Sequence, residues 1–333
     1  MSTGGGVLAM KEGAKPHGAR GGAWVTLVAV LLAILLLYLS LRGIDWRRVW
    51  TILTGARLDY LGVVCLLSTV SYFVRSLRWR VLLGAHAALG ILMVFWATMA
   101  GYLGNNFLPA RAGEVIRSVM ISSRSGLSKT FVLTTALAER LADAVFLVGL
   151  SSMLLLTFGG AGWMSGSAWR ILVIAVVGLA LLVAAPLLVE RFNRGVGRLP
   201  VTESIRSRLT RFTGQAALGV QSFHDRGRLL TFSAMTLAIW GMDAVGAILA
   251  AQALGFDLPP AGALLLLAGL GLGSALPSTP GYIGIYQFVA VTVLTPFGFT
   301  RSDALAYILM AQFLGYVVIG FWGLLGIWRS RRS

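Results

Sequence analysis

A stretch of polar residues and helix breakers interrupts an apolar part of the chain. It contains two amides, two arginines, a carboxylate and two helix-breaking residues: Asn105, Asn106, Pro109, Arg111, Gly113, Glu114 and Arg117. If a helix restarts after Pro109, its first backbone N–H groups form an anion site, and Arg111 and Arg117 can hold a phosphate through paired hydrogen bonds. We therefore predict that the amides, both arginines and Glu114 bind a substrate. The alternative is an Arg111–Glu114 pair that only closes a hairpin.

Four further charged residues lie inside apolar runs: Glu139, Arg140, Asp143 and Asp243. Each charge inside a membrane span costs about 2.5–3.5 kcal/mol on insertion scales, so such residues face the interior of a helix bundle and form pairs. We predict that Glu139 and Arg140 bind substrate and that Glu139, Asp143 and Asp243 are candidates for proton coupling. The alternatives are structural ion pairs and, for Asp243, hydrogen bonds to buried hydroxyls, because no arginine partner for it is evident.

A second break, at 276–287, carries no charge. Its prolines free backbone carbonyls and its glycines allow close backbone approach. We predict that Pro277, Pro280 and Gly281 form this break and that Thr279, Tyr286 and Gln287 bind substrate through neutral groups. The first half-site then suits a phosphate, and the second suits sugars, hydroxyls or a less polar group.

The composition requires a membrane environment for these sites. Of the 333 residues, 57% are hydrophobic and 12% are charged, with a mean hydropathy of +0.82. A soluble chain carries about twice that charged fraction, and several apolar runs reach the ~20 residues that cross a bilayer. The predicted fold class is an all-α polytopic membrane protein with about 7–9 helical segments. The candidate spans are 24–41, 60–83, 89–103, 130–158, 169–189, 229–254, 261–276, 283–296 and 304–328.

The net charge of +16 is explained by anionic lipids and the positive-inside rule, so we expect no nucleic-acid partner. We place both termini in the cytoplasm as basic tails (1–23 and 329–333), together with an amphipathic connector at 190–228. The loop at 42–57 is an exception to the positive-inside rule, because it is basic but is placed outside in this orientation. Arg75, Arg78 and Arg80 are predicted to be snorkelling anchors at the end of the second span, with head-group capture as the minority interpretation.

The two breaks share a pattern, Leu-Pro followed by glycine four residues after the proline, and they lie 168 residues apart. In the predicted orientation the stretch 89–128 begins and ends inside, whereas 261–297 begins and ends outside. We therefore predict an inverted repeat, 24–158 and 169–328, with two broken or re-entrant hairpins. Interrupted helices in inverted repeats are typical of transporters, because irregular backbone at membrane depth must be buried in protein or line a wet cavity.

Three motifs resemble the membrane region of lysylphosphatidylglycerol synthases, the flippase-like family that includes hopanoid-operon membrane proteins. They are NNFLPARAGEVIR at 105–117, AERLAD at 138–143 and LPSTPGYIGIYQ at 276–287. The resemblance implies movement of a polar-headed lipid between leaflets. In the aminoacyl-phospholipid members this region is fused to an aminoacyltransferase domain. Because this chain stops at Ser333, we expect transport without lipid aminoacylation.

The leading hypothesis is thus a lipid flippase or scramblase in a bacterial or archaeal cytoplasmic membrane. Its lipid would be an anionic or aminoacylated phospholipid, a hopanoid or a polyprenyl-linked lipid. A separately encoded lipid-modifying enzyme and a second copy of the chain are compatible partners. The alternative is a scaffold or enzyme subunit acting on a lipid phosphate or glycolipid. We find no nucleotide, metal or nucleophile motif in the sequence and expect no cofactor.

Overall fold

The structure, a computed structural model, describes residues 19–108, 112–158, 191, 202–221, 225–275 and 280–330. Over these residues the chain forms helices and no strand. The helices are α1 Ala19–Leu41, α2 Trp46–Thr54, α3 Leu58–Leu83, α4 Ile91–Phe107, α5 Ala112–Ser125, α6 Lys129–Phe158, α7 Glu203–Gln221, α8 Arg226–Ala253, α9 Pro260–Ala275, α10 Ile285–Leu294 and α11 Arg301–Ser330. Short 3₁₀ turns cover Pro280–Tyr282 and Thr295–Phe297. The predicted span 169–189 lies outside the described residues, as do Pro109, Arg111, Pro277 and Thr279.

Helices α3, α8 and α11 are long and apolar enough to cross a membrane, and parts of α1 (Val30–Leu41) and α9 (Pro260–Ser274) are shorter apolar helices. Their outward faces carry large exposed apolar side chains, among them Leu35, Leu237 and Phe321. Such surfaces need a lipid environment. The predicted all-α, multi-pass membrane class is confirmed.

The basic stretch at 42–57, predicted to be a loop, contains a short helix instead. Asp45 caps α2 by accepting a hydrogen bond from the backbone N–H of Arg48 at 3.1 Å. The Arg48 guanidinium in turn binds both carboxylate oxygens of Asp303, at 2.7 and 3.1 Å, and this hydrogen bonding raises its pKa further above the ordinary value. Trp46 and Trp50, 56% and 69% exposed, lie one turn apart. Exposed tryptophans on a short amphipathic helix are typical of a membrane–water interface.

The first break joins two helices that pack tightly against each other, α4 and α5. Gly101 and Gly104 of α4 face Gly113 at the start of α5. A Cβ atom on Gly113 would lie 1.8 Å from the carbonyl oxygen of Gly101, so only glycine permits this approach. The side chain of Asn105 fixes the junction by accepting a hydrogen bond from the backbone N–H of Gly113 at 2.9 Å.

The second break joins α9 and α10 in the same way. Gly269 and Gly273 of α9 face Val289 and Ile285 of α10, and a Cβ atom on either glycine would lie 2.7 Å from its apolar neighbour. The two helices that flank each predicted break therefore pack closely against each other as a pair.

Helices α3 to α6 have counterparts about 168 residues later in the chain, and the contacts between helices repeat with the same shift. The shift takes Leu58, where α3 begins, to Arg226, where α8 begins, and it takes α4, α5 and α6 onto α9, α10 and α11. The contacts are reciprocal, since α6 packs against α9 while α11 packs against α4. Reciprocal contacts between equivalent elements indicate a two-fold relation. The repeat boundaries 24–158 and 169–328 and the inverted orientation across the membrane stay predictions.

Candidate functional site

A cavity of about 620 Å³ lies between the two hairpins. Asn105, Asn106 and Glu114 line it from the first hairpin, whereas Tyr282 and Tyr286 line it from the second. The remaining walls come from α3, α6, α8 and α11 and are largely apolar, with leucines next to isolated polar groups. A ligand that fills this cavity must have a polar part and an apolar part.

Beside the cavity, four arginines and four carboxylates form one buried ionic network: Arg75, Arg78, Arg117 and Arg140 with Glu114, Glu139, Asp143 and Asp243. The two sets of charges are equal in number, so this group of eight side chains carries no formal net charge. Charge balance is what allows so many ions to be buried, because an unpaired buried charge costs several kcal/mol.

Arg78 of α3 is the centre of the network and is fully buried. Its guanidinium binds Asp143 at 2.6 and 2.8 Å and Glu139 at 2.9 Å. A further hydrogen bond, at 2.8 Å, goes to the hydroxyl of Thr236 on α8. This side chain therefore connects α3, α6 and α8, and its hydrogen-bonding capacity is largely used by the protein itself.

Arg117 joins α5 to α6. It binds Glu114 at 2.5 Å and Glu139 at 3.2 Å, and its guanidinium lies over the ring of Trp79 at 4.4 Å. Arg117 and Glu139 are each 1% exposed and do not belong to the cavity lining. In this conformation they lie behind the lining residues and connect two helices of the cavity wall.

Arg140 and Asp243 are the network members with the most exposed side chains, at 24% and 21%. Arg140 binds Glu114 at 3.2 Å and the hydroxyl of Tyr102 at 2.9 Å. Asp243 pairs with Arg75 and accepts a hydrogen bond from the hydroxyl of Ser71 at 2.7 Å. The ionic side chains that line the cavity are thus Arg75, Glu114, Arg140, Asp143 and Asp243, and the Tyr102 hydroxyl lies beside them.

The prediction that Arg75 and Arg78 are snorkelling anchors was wrong. Both are buried and pair with acids on other helices, whereas Arg80 is exposed and donates to the carbonyl oxygen of Leu89 at 2.5 Å. A sequence signal for this difference exists: Ser71, Arg75 and Arg78 follow helical spacing, so they share one face of α3. Arg80 lies off that face.

The uncharged half-site is held in place by amides and a tyrosine. Gln312 and Tyr316 of α11 both donate to the carbonyl oxygen of Gly281, at 3.1 and 2.8 Å. Gln287 donates to the side-chain oxygen of Gln312 at 2.5 Å and accepts from the backbone N–H of Gly284 at 2.7 Å. These bonds fix a turn in which Gly281 has a positive φ of 70°. They connect the second hairpin to α11.

The predicted site residues are thus distributed over three environments. Those that line the cavity are Asn105, Asn106, Glu114, Arg140, Asp143, Asp243, Gly281 and Tyr286. Those buried behind it are Gly113, Arg117, Glu139 and Gln287, and Pro280 is exposed. Arg111 and Thr279 lie outside the described residues. Sequence reasoning missed five lining residues, namely Tyr72, Tyr102, Trp240, Tyr282 and Gln312, because isolated aromatic and amide side chains have no spacing signal. It also misplaced Arg75, although the helical spacing of Ser71, Arg75 and Arg78 was a signal for it.

Comparison with known proteins assigns this architecture to a family. Residues 26–323 match the family described as the lysylphosphatidylglycerol synthase TM region. The chain belongs to this family. The match includes every helix of the cavity wall, so the site lies inside the family's membrane region.

Among curated relatives of the lysylphosphatidylglycerol synthase TM family, the chain is similar to "Glycosyltransferase AglD" from Haloferax volcanii. The two are 26% identical over 311 residues, which cover 81% of this chain and 48% of the relative. The chain thus spans about half the length of that protein. No solved structure matches this chain.

Proposed function

We propose that the protein moves a polar-headed membrane lipid between the leaflets of the bilayer. The observation that carries the proposal is the cavity between the two hairpins, which joins a large apolar wall to the ionic groups of Glu114, Arg140 and Asp143. A lipid has the same two-part chemistry. Its head group replaces lost water with these ions and with amides and tyrosines, while its acyl chains stay in contact with apolar surface.

Arg140 and Glu114 are the proposed contacts for the head group. Both line the cavity, and their side chains meet at 3.2 Å. A phosphate takes the place of Glu114 on Arg140, and an ammonium or hydroxyl group takes the place of Arg140 on Glu114. The uncharged residues Asn105 and Gln312 accept neutral parts of the head group. This chemistry fits anionic and aminoacylated phospholipids and polyprenyl-linked lipids.

Passage across the membrane needs the cavity to open first to one side and then to the other. The two hairpins are the proposed moving parts, because each is a compact unit with hydrogen bonds of its own, such as Gly113 to Asn105 and Gly284 to Gln287. Interrupted helices around a central site are the usual basis of alternating access.

Proton coupling requires one of these ion pairs to open. Asp143, which lines the cavity, is paired with Arg78 at 2.6 Å, and Asp243 is paired with Arg75. We propose Asp143 as the coupling acid, with Glu139 behind it. A transmembrane pH difference then accelerates lipid exchange. Asp143→Asn removes this acceleration, while lipid exchange at equal pH on the two sides continues.

The experiment is a leaflet-exchange assay in liposomes, with fluorophores on the acyl chains of lipids with different head groups and an impermeant quencher outside. Gly246 of α8 lines the cavity, and a Cβ atom there meets nothing closer than Leu67 at 3.7 Å. Gly246→Phe therefore fills the cavity, and we expect exchange to slow by at least about tenfold. Gly241→Phe is the matched control on the same helix, because Gly241 is exposed and has no atom near its Cβ position.

Two results would overturn the proposal. One is a wild-type protein that exchanges no lipid of the panel faster than empty liposomes do. The other is equal exchange by the Gly246→Phe and Gly241→Phe variants, since transport would then bypass the cavity.

A second candidate function is supported by the relative named a glycosyltransferase, whose length is about twice the matched region. In this alternative the membrane unit presents a lipid-linked sugar or lipid phosphate to an enzyme domain or subunit. Mass spectrometry of the liposome lipids separates the two candidates. New covalent lipid products after addition of activated sugar donors, without leaflet exchange, would favour the alternative.

A further inference from the structure

The Arg75–Asp243 ion pair joins equivalent positions of the two repeats. The two residues are separated by 168 positions, which is the shift that superimposes α3 on α8 in chain numbering. Arg75 also lies over the ring of Trp240 at 4.9 Å, and Trp240 is the equivalent of Tyr72, its neighbour on α3. Two equivalent positions can contact each other only close to the axis that relates the repeats, because a two-fold rotation moves every point except those on the axis.

The cavity is crossed by the same axis. Its lining contains several pairs of residues that differ by 168 in number: Tyr72 and Trp240, Arg75 and Asp243, Asn106 and Ser274, Glu114 and Tyr282, Arg140 and Ile308, and Asp143 and Ala311. The first repeat contributes most of the charges, and apart from Asp243 the second contributes neutral or apolar side chains at the matching positions. A central site with one ionic half and one neutral half follows.

From this geometry we infer that Arg75 and Asp243 are a positioning pair that stays closed while the repeats exchange conformations. The inference rests on the proposed transport function. When the two repeats exchange their conformations, a contact on the axis is replaced by the same contact. The pair can therefore stay closed both when the cavity opens to one side of the membrane and when it opens to the other. Contacts away from the axis change. Arg140–Glu114, for example, maps onto Ile308 and Tyr282, which cannot form an ion pair.

The pair is suited to this role by its surroundings. The Asp243 carboxylate is held by the Arg75 guanidinium and by the hydroxyl of Ser71, and both partners lie on α3. Arg75 is further attracted to Asp143, at 3.9 Å. The closed pair therefore fixes α3 against α8 at the centre of the molecule. Because each of the two side chains is occupied by the other, they act through the helices that they hold.

The test compares cross-links on and off the axis in a Cys65→Ser background. One variant carries Arg75→Cys with Asp243→Cys. The other carries Leu147→Cys with Gly271→Cys, which joins α6 of one repeat to α9 of the other, where a Cβ on Gly271 lies 3.3 Å from the Leu147 side chain. Both are reconstituted, measured for leaflet exchange, linked with a short bis-maleimide, verified by mass spectrometry and measured again. Each variant is thus its own control.

We expect the linked 75/243 variant to exchange lipid at or above its own unlinked rate, because the link replaces the lost ion pair. The linked 147/271 variant should slow by at least about tenfold. Slowing of the 75/243 variant by its link would overturn the inference. Folded but inactive 75/243 protein, both unlinked and linked, would also overturn it and would assign the two charges to head-group binding or proton transfer. If Cys65→Ser and wild type exchange no lipid, the transport function itself fails and this inference fails with it.

Discussion

Replacing Arg78 with methionine removes the guanidinium that two buried carboxylates share. Glu139 keeps Arg117 at 3.2 Å, but Asp143 keeps only Trp240 at 3.3 Å and more distant arginines at 3.8 and 3.9 Å. Removing one partner of a buried ion pair destabilises a protein by about 3–5 kcal/mol. Because both acids keep some positive charge nearby, we expect the lower end, about 3 kcal/mol.

The assay is thermal unfolding in detergent, followed by intrinsic tryptophan fluorescence. At about 2 °C per kcal/mol for a long chain, Arg78→Met should lower Tm by roughly 6 °C. Arg47→Met, the same exchange at an exposed position of α2, should change Tm by less than about 1 °C. Arg78→Met with Asp143→Asn restores charge balance and should recover part of the loss. Equal Tm values for the two single variants, or a double variant less stable than Arg78→Met, would refute the argument from uncompensated charge.

Two further predictions concern the hairpin turns. Gly113→Ala should lower Tm and slow exchange, because its Cβ would lie 1.8 Å from the carbonyl oxygen of Gly101. The control is Gly149→Ala, which has open space around its Cβ and should leave Tm equal or higher. Equal effects of the two substitutions would contradict the packing of the first hairpin. Gly281→Ala should also destabilise the protein, since φ is +70° and the new Cβ would lie 2.4 Å from the hydroxyl of Tyr316. In a Tyr316→Phe background, which lacks that hydroxyl and its hydrogen bond to Gly281, Gly281→Ala should lower Tm by less than it does in the wild type. An equal drop in both backgrounds would show that backbone strain alone is responsible.

Much of the helical architecture could be predicted from the sequence, because its signals are local. Apolar runs located α3, α8 and α11, and the two Leu-Pro-x-x-x-Gly patterns located the hairpin turns. Helix α2 was missed because its nine residues, WRRVWTILT, lack the long apolar run that indicates a span. Its stability comes from the Asp45 cap and the Arg48–Asp303 pair.

The sequence by itself determined that this is a membrane protein with two glycine- and proline-containing breaks and with acids inside its helices. These properties follow from composition and from residues close together along the chain. Only the tertiary structure decided which charges meet. Asp243 had no evident partner because Arg75 lies 168 residues away, and Arg78 reaches Asp143 across 65 residues. Burial in a low-dielectric interior forces every such charge to find an opposite one, and the choice of partner depends on how the two repeats pack around their common axis.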